Sequence, residues 1–253
     1  MNLEIKRKLQ KLELSDLMES IEEVENNVQF IDCSFDDKLS AILDLLINKR
    51  YNKLVKKLIR LSELRYLNAS YESLNIELRH INKNIIESII NLSFVDQSSN
   101  IFITGPTGCG KTYLACVIGI EACKKTYRTY YIRMQDLQRK IEEVVQNPKE
   151  LKKFIRKLSN YKILIIDEWL TYKPTEREIK FFYELFELRY SVNSTIFVSQ
   201  FDKSEWHEKL GGGIQADSIM DRIIHNSYTI PSNSENLREH YDKEKIKNII
   251  KSD

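Results

Sequence analysis

The run Gly105-Pro106-Thr107-Gly108-Cys109-Gly110-Lys111-Thr112 leaves this chain few folds to choose from. It follows the apolar stretch Ile101-Phe102-Ile103 and opens into a helical pattern from Tyr113 to Lys125. Glycines let the backbone curl so that its N–H groups face inward, and the helix behind them adds its positive N-terminal end. Such a curl is built for a chain of phosphates. In that frame Gly105, Pro106, Thr107, Gly108, Cys109, Gly110 and Tyr113 form the cradle of an ATP molecule. Lys111 reaches the β and γ phosphates, and the Thr112 hydroxyl ligates Mg²⁺.

A second element supports the nucleotide reading. Ile163-Leu164-Ile165-Ile166 has the unbroken apolar character of a strand buried on both faces, and its carboxyl end presents Asp167 and Glu168. Asp167 suits the Mg²⁺ shell. Glu168, one residue on, suits a general base that polarises an attacking water, which favours hydrolysis over transfer to another substrate. Ser199-Gln200 ends another apolar run, so Gln200 is placed to hydrogen-bond that water or the γ-phosphate. Arg222 has a helix-borne position beyond Gly211-Gly212-Gly213. It suits either an ion pair with an acid of its own chain or a contact with a neighbouring subunit's transition state.

With 253 residues the chain holds one sizeable core and a smaller appended unit. No apolar run approaches a membrane span and no signal-peptide pattern opens the sequence, so a cytoplasmic protein without membrane contact is expected. Four cysteines and four scattered histidines show no metal-ligand spacing. The net charge of +2 is uninformative, but its distribution is not. Residues 13–37 carry nine acids and no Lys or Arg, whereas residues 49–65 carry seven Lys/Arg and one acid.

Residues 1–67 contain neither Gly nor Pro and read as helical throughout. Leu39, Leu43, Ile47, Tyr51, Leu54, Leu58 and Leu61 make one apolar stripe, with Lys49, Lys53, Lys56 and Arg60 opposite. That basic face suits DNA phosphates; it equally suits solvent or the acidic segment of its own chain. From residue 101 onward strands and helices alternate, which predicts a parallel sheet covered by helices on both faces. Residues 124–162 hold twelve Lys/Arg against four acids, with Tyr127, Tyr130 and Tyr131 interleaved. Arg133, Arg139 and Lys140 in this segment are further candidates for nucleic-acid contact. The expected division is a small all-α N-terminal domain at 1–67, an α/β nucleotide-binding core at 68–238 and a charged tail at 239–253.

The loop, the acid pair, Ser194-Thr195-Ile196-Phe197-Val198-Ser199-Gln200, Ser204-Glu205-Trp206 and Ile219-Met220-Asp221-Arg222-Ile223 together resemble the IstB-like transposition helper ATPases. These are relatives of DnaC-type helicase loaders within the AAA+ superfamily of P-loop NTPases. Cys33-Ser34-Phe35-Asp36-Asp37-Lys38-Leu39 extends the likeness upstream. The resemblance implies an ATPase that assembles with copies of itself on double-stranded DNA, helps choose an insertion target and stimulates a transposase of the same element. It also implies that Arg222 acts in a neighbour's site. Departures from the family pattern are Cys109 for a usual Thr, Trp169 for a Leu-Gly continuation, Gln200 for a common Asn, and Asn236-Leu237-Arg238 for a Tyr-Arg ending. A replicative helicase loader and an ATP-binding DNA scaffold without turnover are the alternative functions.

Overall fold

The structure, a computed structural model, describes residues 2–76 and 81–232. Arg238 and the segment 239–253 lie outside the described residues. Helices fill the N-terminal region, with two breaks that the absence of Gly and Pro did not announce. Helix α1 (Leu3–Lys11) ends where Glu13 takes a left-handed backbone conformation at φ 56°. Helix α2 (Ser15–Glu25) ends at two asparagines, and Asn27 turns its side chain to accept a bond from the Gln29 N–H. This local bond favours a turn over a continued helix. Ser34 then caps α3 (Phe35–Leu61) by accepting from the Asp37 N–H at 3.2 Å.

The chain divides into two compact units, Met1–Lys57 and Leu58–Asp253. In the first, the acids of α2 face the cations of α3: Lys49 meets Glu23 at 2.7 Å, and Arg50 and Lys53 both approach Asp16. The apolar stripe turns the other way, so Leu39, Leu43, Ile47, Tyr51 and Leu54 are exposed.

The second unit contains α4 (Lys83–Ile90), α5 (Ser93–Asp96) and then a five-stranded parallel sheet. Its strands are β1 (Asn100–Thr104), β2 (Thr129–Arg133), β3 (Ile163–Asp167), β4 (Ser194–Ser199) and β5 (Ser227–Pro231), in the order β2-β3-β4-β1-β5. Successive side chains of a strand point to opposite faces, and here both faces are buried. Ile101, Ile103, Ile163, Ile165, Ile196 and Val198 pack under α6 (Lys111–Lys124). Phe102, Leu164, Ile166 and Phe197 face the layer made by α7 (Met134–Val144), α8 (Pro148–Ser159), α9 (Glu176–Arg189), α10 (Lys203–Lys209) and α11 (Gly213–Ile224). A fold of alternating β and α elements is therefore observed, as the alternation required.

Several local devices set these elements. Asn147 caps α8 with Pro148 in its first turn, and Thr175 and Glu178 form a reciprocal capping box on α9. Helix α10 shows no strong apolar period and went unread in the sequence; its single buried side chain, Trp206, anchors it. Trp169 is fully buried among Phe182, Phe186, Phe197 and Trp206, with ring centroids 5.0 to 6.2 Å apart. Trp169 is thus the hub of an aromatic core directly behind the acid pair. Gly119 marks a close approach: a Cβ there would lie 2.7 Å from Leu64 Cδ2.

Candidate active site

Parallel sheets present ligand sites at the carboxyl ends of their strands. At that edge, between β1, β3, β4 and the start of α6, lies a cavity of about 680 Å³. Its walls include Thr107, Gly108, Gly110, Lys111, Thr112, Tyr113, Asp167, Glu168 and Gln200. The two sequence elements that are separated along the chain therefore meet around one space, of a size that suits a nucleotide.

The loop has the backbone that such a cradle needs. Gly105, Gly108 and Gly110 all have positive φ, and a Cβ on Gly105 would sit 2.1 Å from the Ser232 carbonyl oxygen. Only glycine fits there. Cys109 is fully buried beneath the loop and donates to the Pro106 carbonyl at 2.9 Å, so its side chain faces the protein while its backbone stays with the loop. The Lys111 ammonium donates to the Gly105 and Pro106 carbonyls, each at 2.7 Å, which holds the positive charge over the curl.

The Thr112 hydroxyl donates to Asp167 Oδ2 at 2.9 Å, and the Glu168 N–H donates to Oδ1, also at 2.9 Å. A third donor is Tyr131 on β2, whose hydroxyl lies 2.7 Å from the same Oδ2. Burial, and then the Asp167 carboxylate, raise the Tyr131 phenol well above its ordinary pKa, so it stays a donor at neutral pH. Glu168 itself is held at φ 60°, a left-handed conformation that costs a non-glycine residue about 1 kcal/mol or more and is found at functional turns. Its carbonyl is fixed by the Thr171 hydroxyl at 2.7 Å. Gln200 is exposed at the lip, and Thr107 donates to its side chain at 3.4 Å.

One carboxylate and one hydroxyl in contact are a fitting pair of hard oxygen donors for Mg²⁺. This ion takes one or two protein ligands and leaves its other positions to phosphate and water. The arrangement supports nucleotide binding with the acid pair at the phosphate end.

Arg222 does not line this cavity. It forms an ion pair with Glu187 of α9, donates to the Ser218 carbonyl at 2.7 Å and lies over the Tyr183 ring at 4.8 Å. The own-chain ion pair weighed from the sequence is therefore present. Among the candidate DNA-contacting residues, Lys49 and Lys53 are paired with α2 as described, while Lys56 and Arg60 are exposed. Arg133 and Arg139 both reach Asp136, at 2.8 and 3.7 Å, and Lys140 donates to the Tyr130 hydroxyl at 2.8 Å. Tyr130 and Tyr131 are buried and cannot stack on bases, which corrects their reading as aromatic partners of nucleic acid.

The sequence did not point to the wall formed by Arg65, Tyr66 and Ser73, where the Tyr66 and Tyr113 rings lie 5.6 Å apart. The signal available was only a pair of tyrosines 47 positions apart, too common to single out.

A model of the family described as IstB-like ATP binding protein matches residues 7–245. The chain belongs to the IstB-like ATP-binding family. Among curated relatives it is 31% identical over 216 residues to the insertion sequence IS232 putative ATP-binding protein of Bacillus thuringiensis subsp. berliner, covering 83% of this chain and 85% of that one. It is 27% identical over 230 residues to the putative insertion sequence ATP-binding protein y4uH of Sinorhizobium fredii, covering 91% and 92%. Among solved structures, DnaI is similar with a TM-score of 0.52 at 20% identity, over 74% of this chain and 98% of that one. AMPPCP-bound DnaA from Aquifex aeolicus is similar with a TM-score of 0.51 at 23% identity, over 65% and 51%. This IstB-like chain therefore has the AAA+ P-loop NTPase fold. No described helix is long and apolar enough to cross a membrane.

Proposed function

We propose that this IstB-like chain is a Mg²⁺-dependent ATPase that assembles with copies of itself on double-stranded DNA, assists target choice and stimulates the transposase of its insertion element. The observation that carries the chemistry is the Thr112 to Asp167 contact at 2.9 Å, with Lys111 and Glu168 on the same cavity wall. The names of the relatives, all insertion-sequence ATP-binding proteins, support the transposition context.

In this reading the loop amides and Lys111 hold the triphosphate, and Thr112 and Asp167 would hold Mg²⁺. The bound ion supplies neutralisation of phosphate charge during attack by water. Glu168 accepts the proton of that water and Gln200 orients it or the γ-phosphate. Because Arg222 lies away from its own cavity, it is assigned to the site of an adjoining copy, exchanging Glu187 for the transition-state charge. ATP binding then orders the assembly and hydrolysis releases it.

DNA is assigned to cations not already neutralised by the chain, since those release the most counterions. Lys56 and Arg60 on α3 meet this condition. So do Lys149, Lys152, Arg156 and Lys157, which share the exposed side of α8 with no carboxylate within 4 Å among the described residues. Arg133, Arg139 and Lys140 remain proposed as secondary contacts.

The test is ATP turnover, with and without duplex DNA, in the wild type and Glu168→Gln. Wild-type turnover rises with DNA. The variant keeps nucleotide binding and loses turnover by about 100-fold or more. Retained turnover in the variant contradicts the role of Glu168.

A further inference from the structure

Tyr131 sits on the strand next to the acid pair, in a register that accounts for its reach. In the β2 to β3 ladder Tyr131 faces Ile165 and Arg133 faces Asp167, so Tyr131 and Asp167 share one face of the sheet but stand two residues apart along it. Two residues are about 6.6 Å along a strand and neighbouring strands are about 4.8 Å apart, a diagonal near 8 Å. A phenol spans that diagonal and ends in a donor; phenylalanine spans it and ends in none. Tyr131 is 6% exposed and is not among the residues that line the cavity, so a bound nucleotide meets Asp167 and not the tyrosine.

Asp167 Oδ2 receives two donors, the Thr112 and Tyr131 hydroxyls, while Oδ1 receives the Glu168 N–H. These donors behave differently once a cation is present. Thr112 must then aim a lone pair at the ion while its O–H points to Asp167, so the direction of its hydrogen bond becomes tied to where the ion sits. Tyr131 has no such duty, and it holds Oδ2 in one direction whether or not the ion is present.

We propose that Tyr131 is a positioning residue that orients the Asp167 carboxylate for Mg²⁺, acting only through that carboxylate. The inference rests on the ATPase reading above and adds to it a residue from a neighbouring strand. Hydrogen-bond partners of metal ligands fix ligand orientation, and their loss lowers metal affinity by roughly 10- to 100-fold.

The experiment uses the full chain and a fluorescent non-hydrolysable ATP analogue at fixed concentration, titrated with Mg²⁺. Wild type, Tyr131→Phe and Thr112→Val are compared, with thermal melts to confirm folding. Tyr131→Phe is expected to shift the Mg²⁺ midpoint upward by about 10-fold or more, to bind the analogue in EDTA as the wild type does, and, in a parallel assay with ATP in place of the analogue, to regain wild-type turnover at saturating Mg²⁺. Thr112→Val loses a direct ligand and does not regain turnover. A midpoint within 2-fold of wild type in folded Tyr131→Phe overturns the proposal, as does an equal loss of affinity in EDTA. Wild-type protein that takes up no analogue, or does so with no response to Mg²⁺, removes the ATPase reading itself.

Discussion

Each member of the acid pair is set by a different local circumstance. Asp167 ends a fully buried strand, and its carboxylate is fixed by three donors. Glu168 follows in a left-handed turn that carries its side chain away from the sheet and into the cavity wall. Arg222 is the one proposed catalytic side chain that its own chain keeps elsewhere, in the ion pair with Glu187. Shared sites make a specific prediction about mixtures. Glu168→Gln and Arg222→Ala are each inactive alone, because one lacks the base and the other the neighbour's cation. Mixed in equal amounts, about a quarter of the interfaces combine an intact base with an intact arginine, and turnover returns to roughly that fraction of wild type. Mixtures as inactive as their components contradict a trans role for Arg222.

Helices α3 and α8 carry seven and five cations and use them differently. On α3 the inward cations meet the acids of α2, whereas α8 turns its apolar positions Ile155 and Leu158 into the core and its cations outward. Replacing Lys149, Lys152 and Arg156 together with alanine is expected to flatten the dependence of DNA affinity on salt. The slope of log K against log salt falls by about 2 to 3, near 0.9 for each lost phosphate contact. The same experiment on Lys49 and Lys53 leaves the slope almost unchanged and lowers the melting temperature instead. An unaltered slope in the α8 variant moves the DNA contact elsewhere.

At the scale of the whole molecule, legibility followed the range of the interactions. The loop, the strand before it and the helix behind it are contiguous, and their chemistry depends on spacing within a dozen residues. The apolar runs Ile101–Ile103 and Ile163–Ile166 and the run Ser194–Ser199 lie within the observed β1, β3 and β4. What escaped was long-range. The acids that neutralise Lys49 and Lys53 lie over twenty residues upstream, so the sequence offered that pairing only as one reading beside DNA and solvent. The exposed stripe of Leu39, Leu43 and Ile47 obeys a helical period that usually marks a buried face, yet the period says nothing about which face a partner covers. Tyr131 meets Asp167 only because β2 and β3 pair, a fact of topology and register.

All of this depends on one lysine and the loop around it holding a nucleotide. The most direct measurement is calorimetric titration of the full chain with a non-hydrolysable ATP analogue in Mg²⁺ buffer, beside Lys111→Ala. Saturable uptake of one analogue per chain, lost or weakened by about 10-fold or more in the variant, is the predicted result. No uptake by folded wild-type protein, or equal uptake by both, contradicts the account.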